Sequence, residues 1–551
     1  RSRGLGDVYK RQGLAADEWQ HLSAGIAQRA RLLNAVLADL YGPQRLIKEG
    51  LLPAELVFGH NNFLWPCQGI QPPDGAFLHL YAVDLARTPD GRWWVTADRT
   101  QAPSGAGYAL ENRTIVSRAF PDLYRDLQVQ HLTGFFRTLQ ETLARQAPGD
   151  DQPPLIVLLT PGRFNESYFE HLYLARQLGY PLVEGGDLTV RDSTVFLKTL
   201  SGLRRVHAIM RRLDDDFCDP LELRTDSALG VPGLLDAVRQ GHVLVANALG
   251  SGVLESPGLL GFLPKINEFL FGETLILPSI ATWWCGEAPV LAEALEKLPE
   301  LLIKPAFPSQ SFAPVFGRDL NDEQRDALAE RMRARPYAYV AQELAQLSQA
   351  PVWHTVDDHL QHRAIGMRVY AVASDEGYRV LPGGLTRVAA EADAEVVSMQ
   401  RGGASKDTWV LGERAAGGEQ WRAQRTIGAH DLVRRDPYLP SRVVENLFWF
   451  GRYCERCDNS ARWLRIVLAR YVDGDDPLAL QAAVELGENL RLLPEEGELP
   501  ERLLGALLGD DWPSSLRANL QRLQWAASQV RGKLSRENWQ ALVELQREAM
   551  E

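Results

Sequence analysis

The chain has 551 residues, 45% of them hydrophobic and 24% charged, which is globular composition on a scale too long for one core, so about two to four domains are expected. A formal net charge of -12 argues against a general nucleic-acid binder, which needs an overall positive field to draw phosphate backbone, and leaves room only for a local basic pocket. No apolar run reaches ~18 residues, so no membrane-spanning helix is expected, and five cysteines, an odd number scattered over a large chain, point to a reducing compartment, the cytoplasm, rather than a disulfide scaffold.

The opening RSRGLGDVYKRQ (1–12) lacks an initiator Met and the apolar centre of a signal peptide, and reads as a non-native leader. Residues 15–50 carry Leu, Ile and Ala at helical spacing and close on Gly-Pro and Gly, which predicts two packed helices. Around 77–99, two alternating runs joined by the turn sequence PDG predict a hairpin with Asp84 in its first strand and Asp98 near the end of its second. PSGAGYALENR (103–113) reads as a Gly-containing loop leading toward a helix.

LIVLLT (155–160), an amphipathic helix and PLVEGGDL form a βαβ-like unit, and ligands in such units settle at the carboxyl ends of the strands. A further strand, VHAIM, is followed by Arg211 and Arg212 and the acidic run Asp214–Asp216. The arginine pair reads either as a bidentate clamp for carboxylate or phosphate or as an ion-paired loop. HVLVANALGSGV (242–253) predicts a strand feeding a loop with Asn247, Gly250 and Gly252, a weak signal by itself. In LPELLIKPAF (298–307) a single Lys304 ends an otherwise apolar strand and needs an anionic partner, a bound phosphate or an acidic side chain. YAYVAQELA (337–345) predicts a strand ending in Gln342-Glu343, an amide and a carboxylate suited to an adenine edge or ribose hydroxyls.

Met367–Leu411 reads as strand, turn, strand, Gly-Gly turn, strand, and a second Gly-Gly loop ending in a Lys-Asp pair. Gly383-Gly384 lies near Arg368 and Arg387, and Gly402-Gly403 near Arg401 and Lys406. Glycine loops that expose amides beside fixed cations suit a polyphosphate, and a surface hairpin with solvated charges is the bland alternative. Residues 412–436 have no clear period and predict a linker. From Pro437 the pattern is helical: Leu447, Phe450, Cys454, Cys457, Ala461, Leu464 and Leu468 form one apolar stripe, flanked by Arg452, Glu455, Arg456, Asn459 and Arg462 as candidates for an interhelical seam. Cys454-x-x-Cys457 sits inside that helix with no second Cys/His pair, which favours packing cysteines over zinc or redox use. Two more helices are predicted over 515–532 and 536–550, and the chain stops inside a helical pattern, which reads as a truncated C-terminus.

LIKPAF, YVAQE, RRLDDDFCDPLEL, PGGLTRVA and GGASKDTWVL together resemble the bacterial circularly permuted ATP-grasp proteins, relatives of glutathionylspermidine synthetase-type ligases. SRVVENLFWFGRYCERCDNSARWL resembles the start of the helical alpha-E domain often fused behind them. The resemblance implies an α/β (α+β) circularly permuted ATP-grasp fold over 13–411, with a βαβ subdomain about 153–250 and a nucleotide lobe about 290–411, then the 412–436 linker and an all-α domain over 437–551. It implies an ATP-dependent carboxylate–amine ligase acting through an acyl phosphate, with ATP and Mg²⁺, small-molecule or peptide acid and amine substrates, and a protein partner as a role for the helical domain. By motif match Lys304 contacts ATP phosphates, Gln342 and Glu343 lie at the nucleotide hinge, and Lys406 with Gly402 and Gly403 forms a closing loop. Arg211, Arg212, Arg368 and Arg387 are the catalytic candidates for phosphate or substrate carboxylate, and Asp84 and Asp98 the metal candidates.

The chain departs from the family pattern at its chemistry. The family's metal hairpin reads Asp then Glu-x-Asn, and here Ala97 and Arg99 flank Asp98; an arginine cannot ligate Mg²⁺. The loop after Lys304 is PSQSFAP rather than glycine-rich, and Glu255-Ser256-Pro257 stands where relatives carry Asp-Asp-Lys. Two readings follow: a working ligase of a divergent branch, with Arg99 replacing lost charge, or a catalytically degenerate scaffold that binds a peptide or partner protein.

Overall fold

The computed structural model describes residues 11–149, 152–307, 310, 312–344, 347–354, 359–390, 403–412, 438–474 and 476–550. The chain clusters into two compact units, Arg1–Phe196 with Arg205–Arg434, and Leu197–Arg204 with Arg435–Glu551.

In the first unit, strand β1 (Arg11–Leu14) leads into helix α1 (Ala16–Leu40). Leu22, Ile26, Ala30, Leu33 and Leu37 recur at helical steps and form the face that α1 buries. Asp39 in its last turn accepts from the backbone N–H groups of Arg45 and Leu46, each at 2.9 Å, and so starts the short helix Arg45–Lys48.

The hairpin β2 (Leu80–Arg87) and β3 (Trp93–Arg99) turns through Gly91, whose φ of 87° the turn requires. Its pairing runs Arg87–Trp93, Ala86–Trp94 and Leu85–Val95, then slips by one so that Asp84 faces Ala97 and Val83 faces Asp98. The slip is a β-bulge with Thr96 as the extra residue, its hydroxyl donating to the Asp84 carbonyl at 3.1 Å.

Helices α2 (Ala106–Ala119) and α3 (Thr133–Gln146) follow, then β4 (Ile156–Leu159), α4 (Tyr168–Leu178) and β5 (Leu182–Val183), and later β6 (Ala208–Arg211) and β7 (Leu244–Ala246). The order β7-β6-β4-β5 is parallel throughout, and every residue of β4 is buried, as a strand covered on both faces must be. Arg211 lies inside β6 rather than beyond it.

A second sheet is antiparallel. It is built by β8 (Thr282–Trp284), β9 (Leu301–Pro305) and β10 (Val315–Phe316), with helix α5 (Asp322–Ala334) inserted before β11 (Tyr339–Glu343), in the order β8-β11-β9-β10. A capping box between Asn321 and Gln324 starts α5, whose Leu328 and Met332 pack on Ile303 and Ala341.

The large sheet is completed by β12 (Gln349–His354), β13 (His359–Ser374), β14 (Gly377–Val380), β15 (Gly383–Val388) and β16 (Ala404–Val410). Its order is β1-β16-β15-β13-β2-β3, with β12 and β14 also pairing β13. Leu80, Ala82, Tyr370, Val372 and Leu385 join α2, α3 and the parallel sheet in one core, while Arg29 of α1 reaches the opposite face. The second Gly-Gly loop expected to hold Lys406 and Asp407 is not where they sit: both lie inside β16, buried, and Gly383-Gly384 begin β15. A Cβ at Gly384 would come within 2.7 Å of the Arg368 carbonyl, so strand packing accounts for that glycine.

The second unit is helical: α6 (Ser441–Asp473), α7 (Pro477–Asn489), α8 (Leu499–Leu508), α9 (Leu516–Gln529) and α10 (Arg536–Met550). The buried face of α6 is Val443, Asn446, Cys457, Ser460, Trp463, Leu464 and Val467. Only Cys457 and Leu464 of the expected stripe belong to it; Ala461 is exposed, as are Arg452, Glu455, Arg456, Asn459 and Arg462, which line no seam within the unit. Trp463 moves the face, its indole donating to the Ala483 carbonyl at 2.8 Å. The cysteines are free thiols. The 412–436 linker falls, beyond Gly412, outside the described residues. Among the described residues no helix is long and apolar enough to cross a membrane.

Candidate anion-binding site

Asp84 is the centre of a cationic cluster in the first unit. Arg368 of β13, directly across from it in register, donates from Nε to Oδ1 at 2.7 Å and from Nη2 to Oδ2 at 2.9 Å. Arg387 of β15 donates from Nη2 to Oδ1 at 2.7 Å, and Arg99 of β3 from Nε to Oδ2 at 3.3 Å. Burial alone would raise the Asp84 carboxyl, but Arg368, Arg387 and Arg99 outweigh it and hold it well below the usual carboxylate range. Arg387 keeps Nε without a hydrogen-bond partner among the described residues.

Lys304 approaches from the antiparallel sheet. Alternation along β9 and β11 puts Lys304 and Gln342 on one face, and Lys304 Nζ donates to Gln342 Oε1 at 2.6 Å while Gln342 Nε2 donates to Thr282 Oγ1 at 2.8 Å. Burial, with Arg99 adding to it and Asp84 opposing, pushes the Lys304 pKa down to about 8. Among the described residues its hydrogen-bond partner is an amide oxygen rather than an acid, so its charge is not neutralised by that contact.

Glu255 closes the other side. Its Oε1 accepts from the backbone N–H groups of Thr100 and Gln101, each at 2.8 Å, and its Oε2 lies 3.5 Å from Arg99 Nη1. Ser256 donates to the Ala306 carbonyl at 2.8 Å, tying this turn to the strand that carries Lys304. The residues that replace the family's Asp-Asp-Lys therefore serve to hold Arg99 and the Lys304 strand in place.

The loop before α2 joins this cluster to Arg212. The Ser104 carbonyl accepts from Arg368 Nη1 and from the Tyr370 hydroxyl, both at 3.1 Å, and the Pro103 carbonyl accepts from Arg212 Nη1 at 2.8 Å. Glu170, fully buried on α4, accepts from the backbone of Gly105 and Gly107 at 2.7 and 3.0 Å, so the amino end of α2 is already occupied by a carboxylate of the chain itself. Arg212 Nη2 stands 3.7 Å from the other Glu170 oxygen.

The structure thus brings together Asp84, Arg368, Arg387, Lys304 and Gln342, with Arg212 behind the loop, and separates Asp98, Arg211, Lys406 and Glu343 from them. Asp98 lies on the opposite face of the hairpin, where Arg29 grips it with two bonds of 2.8 Å and the Tyr81 hydroxyl donates at 2.6 Å. The Thr96 bulge is the reason: regular pairing continued from Arg87–Trp93 would put Asp98 across from Ala82, on the Asp84 face. Arg211 is buried and spends its donors on the carbonyls of Asn247, Leu213 and Ala248, on Ser251 and on Asp215, so it braces the 247–252 loop. Lys406, paired across from Thr386, is on the face opposite Arg387 and donates to the Pro351 carbonyl at 2.6 Å; burial pushes its pKa down to about 8. Glu343 points away from Gln342 and shares a cavity of about 280 Å³ with Glu293, Lys297 and Glu300. Gly403 is half-buried ahead of β16, and Gly402 and the 391–401 stretch fall outside the described residues. In the sequence Arg99 and Glu255 stand out as departures from the family motifs, with Arg99 as a replacement for lost charge, and nothing singles out Ser104, Glu170 or Tyr370; only their spatial neighbours reveal them.

The hairpin does not fit a magnesium ion. Both Asp84 oxygens are committed to guanidinium groups and both Asp98 oxygens to Arg29, and among the described residues no three His, Cys, Asp or Glu side chains come together in a metal-binding group.

A family model for circularly permuted ATP-grasp type 2 matches residues 14–389, and one for Alpha-E, described as a predicted alpha-helical domain with a conserved ER motif, matches 439–551. The chain is 38% identical over 558 residues to the uncharacterized protein Rv2567 of Mycobacterium tuberculosis, covering 97% of this chain and 62% of that protein. It is 40% identical over 398 residues to the uncharacterized protein sll0335 of Synechocystis sp., covering 72% of this chain and 82% of the relative, and 38% identical over 424 residues to Rv2411c of Mycobacterium tuberculosis, covering 77% and 76%. With an α/β unit carrying the cationic cluster and a helical unit following it in the sequence, the chain belongs to the circularly permuted ATP-grasp type 2 family, with an Alpha-E domain over residues 439–551.

Proposed function

We propose that the chain is an ATP-dependent carboxylate–amine ligase of a divergent branch. The observation that carries this reading is the convergence of Arg99, Arg368, Arg387 and Lys304, from four separate strands, around two carboxylates among the described residues, Asp84 and Glu255. The surplus of fixed positive charge suits a polyphosphate, whose oxygens accept from guanidinium and ammonium at once. In the reaction, an oxygen of the acid substrate attacks the γ-phosphorus, ADP leaves, and an acyl phosphate forms. The amine nitrogen then attacks the acyl carbon, inorganic phosphate leaves, and an amide remains. Lys304 and the arginines oppose the charge that builds on the transferring group. The odd number of scattered cysteines supports a reducing compartment, the cytoplasm, for this activity.

The test is incubation of the full chain with ATP and pooled amino acids and polyamines, with ADP measured and condensation products sought by mass spectrometry. ADP release that depends on the pool and disappears in Lys304→Ala supports the ligase; absence of ATP binding in folded protein removes it. A second reading, a non-catalytic scaffold whose cleft or helical domain binds a peptide or protein partner, is favoured by the full commitment of the Asp84 oxygens to arginines. That reading fails if ATP turnover is found and Lys304→Ala abolishes it.

A further inference from the structure

Arg99 ends β3 and is the most exposed arginine around Asp84, its side chain 38% accessible against 11% for Arg368 and 18% for Arg387. It lies between two carboxylates that other groups already hold. Asp84 is pinned by Arg368 and Arg387, and Glu255 by the Thr100 and Gln101 amides. Arg99 Nε is 3.3 Å from Asp84 Oδ2 and its Nη1 is 3.5 Å from Glu255 Oε2. A positive group between two fixed carboxylates stands where a divalent ion would stand in a carboxylate-bridged centre. Unlike a metal, it brings its own N–H donors to an incoming anion.

We propose that Arg99 is the resident cation of this site: the hairpin takes no divalent metal, and the phosphates of a polyphosphate ligand bind Arg99 and Lys304 directly. This rests on the reading that the cluster receives the nucleotide's phosphates and adds that no metal at Asp84 is needed for it. A magnesium ion there would have to displace guanidinium groups from both Asp84 oxygens and then sit among the same positive charges. A polyphosphate meets the reverse situation, because Arg99 is the most exposed of these cations and Lys304 donates to an amide oxygen rather than to an acid, while Arg368 and Arg387 keep Asp84 occupied.

The experiment is calorimetric titration of the full chain with sodium tripolyphosphate, once in EDTA and once with excess Mg²⁺, beside a Mn²⁺ titration without phosphate followed by electron paramagnetic resonance. Tripolyphosphate is expected to bind in EDTA, Mn²⁺ to stay free in the micromolar range, and Arg99→Gln to weaken the EDTA binding about tenfold or more, with Arg99→Lys recovering part of it. Thermal unfolding reports whether the variants are folded; should Arg99→Gln not fold, the unsubstituted chain in EDTA and Arg99→Lys decide the matter. The proposal is overturned by binding that appears only with Mg²⁺, by Mn²⁺ uptake that Asp84→Asn abolishes, or by no tripolyphosphate binding in either condition. ATP turnover is read separately. Metal-free tripolyphosphate binding without any turnover keeps Arg99 in its role and removes the ligase, whereas turnover beside strictly Mg²⁺-dependent binding does the opposite.

Discussion

Arg368 stands directly across the β2–β13 pairing from Asp84 and closes on it with two bonds of 2.7 and 2.9 Å. Cross-strand neighbours with opposite charge stabilise a sheet, and here the pair is buried and shared with Arg387, so each partner depends on the other. Asp84→Ala leaves those guanidinium groups in the sheet without a counterion. Urea unfolding of the variant is expected to show a loss of about 3–5 kcal/mol, the usual result of breaking a buried pair from one side. A loss near zero would mean that water reaches the arginines and that the cluster is not closed.

Lys304 makes the site pH-dependent. Its folded pKa of about 8 lies below the ordinary 10.5, so between those values the unfolded chain holds a proton that the folded chain has released, and its contribution to stability grows as pH rises. Anion binding runs the other way, since the ammonium is the form that holds phosphate. Tripolyphosphate affinity is expected to fall as pH rises from 7 to 9. Calorimetry at pH 8.5 in buffers of different ionisation enthalpy should register proton uptake on binding, and Lys304→Met should remove it. Uptake unchanged in Lys304→Met would assign the effect to another group.

Arg29 and Asp98 form a buried structural pair. Arg29→Met strands a buried carboxylate beside Tyr81, at an expected cost of about 3–5 kcal/mol in urea, while the double change Arg29→Met, Asp98→Leu recovers most of it. Nucleotide or tripolyphosphate affinity per folded molecule should be unaltered in the double variant. A selective loss of affinity there would return Asp98 to the binding site.

Gly105 tests the loop that carries Ser104. Its φ is 108°, and a Cβ would lie 2.1 Å from the Tyr370 hydroxyl and 3.0 Å from Leu385. Gly105→Ala is expected to cost roughly 1–3 kcal/mol from overpacking alone, with a further part from the left-handed backbone. Because Tyr370 and Arg368 both donate to Ser104, the variant should also weaken anion binding, measured by the same titration. Stability close to the unsubstituted chain would show that the loop relaxes freely.

The elements with strong periodicity are legible along the chain: the α1 stripe, the hairpin around its Pro-Asp-Gly turn, the apolar β4 with its following helix and the single Lys304 near the end of β9 are local patterns, and burial on one side or both enforces them. The family followed from motif order, which needs no geometry. Two other features were settled only by the tertiary structure. One residue of bulge at Thr96, which no residue type announces, turns Asp98 to α1 and Arg99 to Asp84, so that the expected metal hairpin becomes an arginine-lined one. On α6, Trp463 and Gly487 meet so closely that a Cβ on the glycine would lie 2.2 Å from the indole, and this contact, rather than the simple apolar stripe, sets which face is buried. In each case the face a side chain takes depends on a partner distant in the chain, and spacing along one segment carries no record of that partner.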